Sequence, residues 1–430
     1  MSGNLDRPPV RTPDADAPAV PAAFPAEPAG LRPFAAFASR NYRLWFAGQL
    51  VSLFGSWMQS TALGFLVYEL SHSAAYLGYV SFAASAPSWL FMLRAGVIAD
   101  RAPRRTLLLM TQTAMMALAL VLSGLTFSGL VAPWQIVIVA FGLGTANAFD
   151  APARQAFVSE LVPRKDLTNA IALNSTMFNA AVALGPAASG VVYVLLGPAW
   201  CFLVNTVSFL AVIAALLAMR LEPRPRAGEG TSHGGGLRDG LRFVAGHETV
   251  RVLIGLISVV SLVGLGFITL MPAWAKDVLG GDATTNGCLQ SARGIGALTA
   301  ALTVAALGRF TFKGKLLSFG TFFFPTLVLG FALVRWLPLS LILLVGAGFG
   351  LILIFNLCNA LVQEHTPDEL RGRVMSIYSL AFFGFLPIGG LLVGLLAEAV
   401  GEVWTLTVGA LATLACAVLL AVAYPALRRL

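Results

Sequence analysis

The sequence predicts an all-α membrane protein with twelve transmembrane helices arranged as two pseudo-symmetric six-helix bundles. Three observations predict this fold. The chain of 430 residues is strongly apolar, its apolar residues are grouped into long segments, and one short polar motif occurs twice. The motif reads AFVSELVP over residues 156–163 and ALVQEHTP over residues 360–367, which is 204 positions later. Each copy lies between two long apolar stretches, so the second half of the chain repeats the first.

The composition indicates that lipid surrounds most of the chain. Apolar residues make up 57% of the sequence and charged residues only 11%, whereas roughly 25% of the residues in a soluble domain are charged. The mean hydropathy is +0.81. A spanning helix needs about 20 apolar residues, so the chain is long enough for twelve. The four cysteines are isolated, which predicts no disulfide framework, no metal site and no cofactor.

The order of apolar and polar segments predicts four parts. Residues 1–38 contain many prolines and few large apolar residues, which is typical of a disordered tail. Residues 39–220 form a first six-helix bundle, residues 221–249 a hydrophilic linker, and residues 250–430 a second bundle. The predicted apolar segments are 44–69, 75–99, 106–128, 133–150, 169–196, 199–219, 250–275, 286–308, 316–336, 339–360, 374–397 and 403–425.

The positions of lysine and arginine predict the orientation of the chain. Of the 28 lysines and arginines, 24 fall on one predicted face. Cytoplasmic loops carry an excess of these residues, so both termini and the linker are expected in the cytoplasm. The basic balance therefore indicates orientation in a bilayer and not binding to nucleic acid.

Two related halves made of hydrophobic segments are typical of secondary transporters, which bind substrate between the halves near the bilayer midplane. The sequence contains no G-x-x-x-x-G-K-[ST] loop, so this chain is not expected to hydrolyse ATP. No Ser/His, paired-Asp or metal constellation occurs in the apolar segments, and an enzyme is not expected. A membrane sensor or scaffold is a further alternative, but it predicts a large extramembrane domain, which this sequence lacks.

The loop between the second and third apolar segments reads GVIADRAPRR from Gly96. Gly96 precedes Asp100 by four residues. Because glycine has no side chain, it would allow this end of the helix to pack closely on a neighbouring helix. Asp100 lies at the predicted membrane surface among Arg101, Arg104 and Arg105. A carboxylate there can pair with an arginine or cap the N-terminus of another helix. The alternative is that these arginines serve only the orientation of the chain.

This loop resembles the signature G-x-x-x-D-R-x-G-R-R of the major facilitator superfamily, with Pro103 at the position of the loop glycine. Three other segments resemble the branch that holds bacterial siderophore exporters, macrolide efflux proteins and transmembrane secretion effectors. They are SLFGSWMQ from Ser52, FDAPARQAF from Phe149 and NAIALNS from Asn169. The resemblance covers about residues 35–425. It implies the major facilitator fold, in which two bundles rock about a central cavity that opens alternately to each side.

The resemblance also implies a cytoplasmic gate, which holds the halves together when the cavity faces outward. Asp100 would then meet the start of the eleventh helix. Asp150 and Arg154 have the i,i+4 spacing of a helical ion pair and would join this gate. Glu160 and Glu364, each three residues before a proline, would be its symmetry-related parts. An exposed ion pair contributes less than about 1 kcal/mol, so such a network can break readily.

The fifth apolar segment contains Gly185-Pro186 and Gly190, in a pattern similar to the motif of the superfamily's antiporters. The eleventh contains Pro387 among glycines. Proline kinks a helix, and small residues let a neighbouring helix approach closely. The motif favours export, and the alternative is the ordinary tolerance of membrane helices for glycine and proline. Val182 stands where many relatives have an arginine.

Polar residues in apolar segments are candidates for contact with substrate. Gln49, Ser52, Ser56 and Gln59 lie on one face of the first helix, at spacings of 3, 4 and 3. They are predicted either to line the cavity or, with equal weight, to hydrogen-bond between helices.

Two arginines also fall in apolar segments. Arg293 follows Gln290 by about one helical turn and is a candidate for binding an anionic substrate group. Arg94 lies close enough to the cytoplasmic surface for its side chain to reach it.

A proton-coupled exporter needs a protonatable group whose exposure changes. Asp150 is the first candidate, because burial disfavours the charged form of a carboxylate, and Asp100 is the second. We therefore expect a monomeric, proton-antiporting exporter of small organic molecules, drug-like or siderophore-like, in the bacterial cytoplasmic membrane. The alternative within transport is a flippase for lipids or lysolipids.

Overall fold

The computed structural model describes residues 34–220, 237–308 and 310–429 of the chain. Its regular elements are helices, numbered here in chain order. They are α1 (Arg40–Ser71), α2 (Ala74–Arg101), α3 (Arg104–Phe127), α4 (Pro133–Leu161), α5 (Leu167–Leu196), α6 (Pro198–Ala218), α7 (Leu237–Gly246), α8 (Glu248–Val278, with two π-helical turns), α9 (Ala283–Leu307), α10 (Lys313–Leu333), α11 (Leu337–Glu364), α12 (Asp368–Val400) and α13 (Glu402–Ala423).

Ten helices in the described ranges are long and apolar enough to cross a membrane. The predicted all-helical membrane fold is therefore confirmed. Helices α2 and α9, of 28 and 25 residues, have the length of a span but are not among the ten. The total of twelve spans thus stays a prediction.

Local sequence explains where several helices begin. In lipid a segment must satisfy its own backbone polar groups, which an apolar run achieves only as a helix. The side chain of Ser39 accepts a hydrogen bond from the N–H of Tyr42 at the start of α1. Asp282 does the same for the N–H of Thr285, at 3.1 Å, at the start of α9. Both residues satisfy donors that a helix start leaves free.

Two glycines reverse the chain at corresponding places in its two halves. Gly197 joins α5 to α6 with a φ of 97°, and Gly401 joins α12 to α13 with a φ of 86°. Positive φ values of this kind favour glycine, which has no β-carbon. The two glycines are 204 positions apart. The spacing of the repeated polar motif thus recurs in the turns.

Helices α1–α6 make up the first half of the molecule and α8–α13 the second. Helix α2 packs along α12, and α5 packs along α9; these two pairs provide most of the contact between the halves. We call the end of the molecule that holds Arg104, Glu160 and Lys313 the basic end. The other end, which holds Gly197 and Gly401, is called the distal end.

The predicted tail lies largely outside the described residues, since residues 1–33 are not described. Its last part differs from the prediction. Ala35–Ala38 form a 3₁₀ turn, and the N–H of Ala36 donates a hydrogen bond to Asn169 Oδ1 at 3.0 Å. Ala36 is 1% exposed, so this short apolar segment packs against the start of α5 instead of remaining in solvent.

The predicted linker also contains structure. Residues 221–236 lie outside the described residues, but helix α7 follows them and packs on the start of α12. Arg373 of α12 is paired with Asp239 of α7 at 3.4 Å, and Val244 of α7 is buried. The sequence did not predict this helix because the neighbouring glycines and prolines dominate the composition of the linker.

Candidate functional site

The interface between α5 and α9 is built from small residues. A β-carbon on Gly190 would lie 2.6 Å from the Cα atom of Thr284, and one on Gly287 would overlap the carbonyl oxygen of Pro186. On the other side of α5, a β-carbon on Gly185 would lie 2.7 Å from the Cβ atom of Trp57 in α1. The predicted kink motif therefore lies in close contact with both halves, and each glycine allows one of these approaches.

The interface between α12 and α2 repeats this arrangement. A β-carbon on Gly394 of α12 would lie 2.6 Å from the Cα atom of Gly78 of α2. One on Gly389 would overlap the carbonyl oxygen of Leu262 in α8, within the second half. Gly389 and Gly394 follow Gly185 and Gly190 by 204 positions. Pro387, the second predicted kink residue, is buried within α12.

The hydrogen bonds that join the halves between described residues lie in the distal half of the molecule. Glu398 of α12 accepts from the hydroxyl of Ser73 at 2.8 Å and from the N–H of Ala75 at 3.2 Å. The hydroxyl of Tyr68 in α1 donates to Asp277 in α8. Closer to the centre, Ser291 Oγ of α9 accepts from the N–H of Ala187 at 2.9 Å. These bonds and the glycine contacts hold the two halves together at this end.

Two ion pairs at the basic end each lie within one half of the molecule. Arg104 Nη1 at the start of α3 is 2.7 Å from Glu160 Oε1 at the end of α4. Lys313 Nζ at the start of α10 is 2.6 Å from Glu364 Oε2 at the end of α11. Arg105 donates to the carbonyl oxygen of Leu217 in α6 at 3.0 Å. The two predicted glutamates are thus used in equivalent ways, each joining two helices of its own half.

Asp150 is the most enclosed of the predicted carboxylates, with 1% of its surface exposed. Its Oδ1 atom accepts from the Thr111 hydroxyl at 2.8 Å and from Gln112 Nε2 at 2.9 Å. Its Oδ2 atom lies 3.5 Å from Arg154 Nε. The predicted i,i+4 pair is therefore present. The sequence did not indicate the partners from α3, because nothing in the pattern of α3 marks which residues face α4.

The predicted gate loop differs from expectation at its glycine. Among the described residues, none has an atom within 4 Å of a β-carbon placed on Gly96, and the same is true of Gly372 at the start of α12. The prediction that Gly96 packs closely on a neighbour is therefore wrong for the part of the chain that is described. The side chains of Asp100 and Arg101 lie outside the described residues, so their predicted contacts stay predictions.

The polar face of α1 points towards α6. Gln49, Ser52 and Gln59 are each about 2–3% exposed, and Asn205 of α6 donates to Gln59 Oε1 at 2.7 Å. Ser56 is partly exposed. The structure therefore favours the helix–helix alternative for this face over the cavity wall.

The exposed face of α1 lies elsewhere. Arg43, Ala47 and Val51 follow one another at steps of four residues and are exposed. Residues with this spacing share one side of a helix, and that side is separate from the one carrying Gln49, Ser52 and Gln59. The spacing of the polar residues predicted a common face, but it could not tell which neighbour the face would meet.

Helix α9 carries a second polar face, which we call the α9 stripe and which consists of Asn286, Gln290 and Arg293. Arg293 is 9% exposed and Asn286 is fully buried. Sequence reasoning identified the last two members but missed Asn286. Its position four residues before Gln290 was the available signal. Arg94, the other arginine in an apolar segment, has an exposed side chain.

Comparison with known proteins identifies relatives over nearly the whole chain. The sequence profile of the transmembrane secretion effector family matches residues 31–428. The staphyloferrin A transporter of Staphylococcus aureus is 24% identical over 86% of this chain and 93% of its own length. The multidrug efflux pump Tap of Mycolicibacterium fortuitum is 27% identical over 81% and 87% of the two chains. Macrolide efflux protein A of Streptococcus pyogenes is 23% identical over 86% and 92%.

Solved structures share the fold. A bacterial homologue of the human lysosomal transporter Spinster, in an inward-facing and unoccupied conformation, superposes with a TM-score of 0.68. It is 14% identical, and the match covers 93% of this chain and 97% of that one. A D-xylose–proton symporter gives a TM-score of 0.68 at 14% identity, over 88% and 96% of the two chains.

The family match and the long apolar helices together determine the class of protein. The relatives are transporters, which excludes an enzyme as the family's activity. Two of the three relatives described above are named as efflux proteins. The chain belongs to the transmembrane secretion effector family of the major facilitator superfamily and is a multi-pass exporter of the bacterial inner membrane.

Proposed function

We propose that this protein is a secondary active exporter of small organic molecules, driven by proton antiport and working by alternating access. In this proposal its long helices form two six-helix bundles, residues 39–220 and 250–430, joined by the linker 221–249. The termini and the linker lie in the cytoplasm, so the basic end faces the cytoplasm. The protein acts as a monomer.

The main support for this proposal is that the two halves are bonded to each other to different extents at the distal end and at the basic end. Glycine contacts and hydrogen bonds join the halves in the distal half. At the basic end Gly96 and Gly372 have open space around them. An alternating-access transporter closes one end while the other is open, and this arrangement corresponds to distal closure. When the basic end closes, the gate would form from Asp100 and Arg101 together with the carboxylates Glu160 and Glu364.

The direction and the substrate class are supported by the relatives. Two are named for efflux of several drugs or of macrolides, and one for transport of staphyloferrin A. Drug-like or siderophore-like molecules are therefore the proposed substrates. Gly185, Pro186, Gly190 and Pro387 would form the kinks about which the tightly packed α5 and α12 bend between states.

Asp150 is the proposed carrier of the coupled proton. It is buried in α4, where it accepts hydrogen bonds from Thr111 and Gln112 and forms an ion pair with Arg154. Burial disfavours a charged carboxylate, and a nearby cation favours it. In this proposal the exposure of Asp150 changes as the basic end opens and closes.

The test is uptake into inside-out vesicles that contain the full-length protein. A proton gradient is imposed, and uptake of staphyloferrin A, a labelled macrolide and a labelled lysolipid is measured with and without a protonophore. Wild type is compared with Asp150→Asn, and Glu402→Gln serves as the control, since it alters a carboxylate at the start of α13 that is not part of the gate. We expect gradient-dependent uptake that is lost in Asp150→Asn and retained in Glu402→Gln.

Other outcomes would contradict parts of the proposal. Uptake that ignores the protonophore would exclude proton antiport. Uptake of the lysolipid alone would replace the proposal by a flippase. Equal loss of coupling in Asp150→Asn and Glu402→Gln would show that Asp150 has no special part in moving the proton.

A further inference from the structure

We propose that the α9 stripe binds an oxyanion group of the exported molecule, so that the substrates of this exporter carry a carboxylate or a phosphate. The inference rests on the proposed function in taking the space between the halves as the path of the substrate. It adds the chemical class of the substrate and the residues that select it.

The stripe points into the molecule. Successive residues of a helix are rotated by about 100°, so the three polar residues share one side of α9. Gly287 and Gly294, on a neighbouring side, pack on α5, and Gly296, on another, packs on α11. Ile295 and Leu302 lie opposite the stripe and are 47% and 56% exposed. The stripe therefore faces the interior between α5 and α11, and the exposed side of α9 is apolar.

Three buried polar atoms of the stripe have no hydrogen-bond partner among the described residues. Asn286 is 0% exposed, and both its Nδ2 and its Oδ1 atoms lack a partner. The third atom is Arg293 Nε. Within the described parts of the chain, Arg293 forms no ion pair. A buried polar group without a partner is unfavourable, and a charged one more so, so a ligand that supplies the missing partners would bind well.

Helix packing does not explain the arginine, because the other half of the molecule packs the same way without it. A β-carbon on Gly348 of α11 would overlap the carbonyl oxygen of Arg293. In the first half, a β-carbon on Gly144 of α4 would overlap the carbonyl oxygen of Ala84 in α2. Arg293 follows Ala84 by 209 positions. The same close contact is thus made by alanine, which has no charge.

The rest of the stripe breaks the symmetry in the same way. Asn286 and Gln290 correspond, at the same offset of 209, to Leu77 and Ser81 of α2. Leu77 is a buried apolar residue. Ser291 of α9 shows the contrasting case, since its hydroxyl is engaged by the N–H of Ala187 at 2.9 Å. Polar groups that serve packing in α9 have partners, whereas Asn286 and Arg293 do not.

The chemistry of the stripe fits an oxyanion. A guanidinium presents N–H donors in a planar fork that matches the two oxygens of a carboxylate or a phosphate. Asn286 lies seven residues from Arg293, which is about 10 Å along the helix. Its amide can both donate and accept, so it would bind a second polar group of the same molecule. An extended molecule with an acidic group near Arg293 and a hydroxyl, amide or carboxyl group near Asn286 meets both requirements.

Equilibrium binding to the purified full-length protein tests this inference without a proton gradient. The probes are dansyl-aminohexanoate, its uncharged methyl ester, and a dansyl-labelled lysophosphatidic acid. Wild type is compared with Arg293→Ala, which introduces the residue of the other half, and with Arg293→Lys, which keeps the charge but removes the fork. Arg94→Gln is the matched control, because it removes an arginine from an apolar segment at an exposed position.

We expect wild type and Arg94→Gln to bind at least one acidic probe about tenfold or more tightly than the ester. Arg293→Ala should abolish this preference, and Arg293→Lys should retain part of it. Selective binding of the aminohexanoate identifies a soluble carboxylate as the ligand, and selective binding of the lysolipid identifies a headgroup phosphate. Arg293→Lys keeps the test decisive if the alanine variant does not fold.

The inference is overturned if wild type binds the ester as tightly as both acidic probes, or if Arg293→Ala keeps the wild-type preference. This failure is distinct from failure of the proposed function. Loss of gradient-driven uptake with intact acid binding would contradict proton antiport alone. Gradient-driven export of neutral molecules that does not depend on Arg293 would contradict the inference alone.

Discussion

The two halves of this transporter pack their helices alike and differ in the polar side chains that they enclose. Gly190 of α5 and Gly394 of α12, 204 positions apart, each bring a helix of one half into contact with the other half. The interiors differ, since α9 carries Arg293 where α2 carries Ala84. The repeated features are those that the fold needs, so the unrepeated polar residues are the better candidates for transport.

The basic end also combines ion pairs that are repeated in the two halves with a buried carboxylate that is not. The ion pairs Arg104–Glu160 and Lys313–Glu364 are equivalent in the two halves. Asp150, however, corresponds to Ile354 at the offset of 204 that also relates Glu160 to Glu364. Only the first half therefore holds a buried carboxylate at this position, and this difference is consistent with a single site of proton coupling in our proposal.

The largest expected effect on stability comes from Asp150, and Asn359, a polar residue near the end of α11, serves for comparison. Asp150→Ala removes the acceptor for Thr111 and Gln112, which are buried, and should lower the free energy of unfolding by about 3 kcal/mol. Asn359→Ala removes one partly exposed hydrogen bond from Gln363 and should lower it by about 1 kcal/mol or less. Thermal unfolding of the detergent-purified proteins measures both. Equal losses would contradict the idea that the two positions differ in kind.

The glycine contacts should respond equally in the two halves. Gly190→Ala and Gly394→Ala place a methyl group against the backbone of the partner helix, and each should destabilise the protein by about 1–3 kcal/mol. Gly124→Ala and Gly255→Ala are the controls, because a β-carbon at either position meets no atom within 4 Å. These controls should be neutral or slightly stabilising, since alanine favours a helix. An effect at only one of the two contacts would break the symmetry argument.

The contact that closes the distal end should weaken when Glu398 loses its charge. Glu398→Gln replaces a charged acceptor for Ser73 and Ala75 by a neutral one, which should favour opening by about 1–2 kcal/mol. Distances between spin labels at the distal ends of α2 and α12 report this opening. The matched control is Glu402→Gln, which alters a carboxylate at the same end of the molecule. An unchanged distance distribution in Glu398→Gln would show that the glycine contacts alone close this end.

The smallest effects on stability are expected at the two equivalent ion pairs of the basic end. Arg104→Gln and Lys313→Gln each break an ion pair whose side chains are about one quarter to one half exposed. Such pairs contribute roughly 1 kcal/mol or less, so each variant should shift the unfolding temperature only slightly, and by a similar amount. A large loss in only one of them would indicate that the two ion pairs have different structural roles.

The sequence predicted the helices well because lipid leaves an apolar segment few choices of structure. It also predicted the pair Asp150–Arg154, whose i,i+4 spacing places both residues on one face of one helix. It did not predict the helix α7, and it assigned Gly96 a close contact that is absent. Such contacts depend on the position of a second helix, which local spacing does not specify.

The sequence by itself determined the membrane fold, the family and the internal repeat, because hydropathy and motif spacing are properties of single segments. Tertiary structure alone decided which faces of the helices meet. It turned the polar face of α1 towards α6, where Asn205 bonds Gln59. It also left Asn286 and Arg293 buried without partners in α9. Whether a polar side chain is satisfied depends on atoms from distant parts of the chain, and only the packed molecule brings those atoms together.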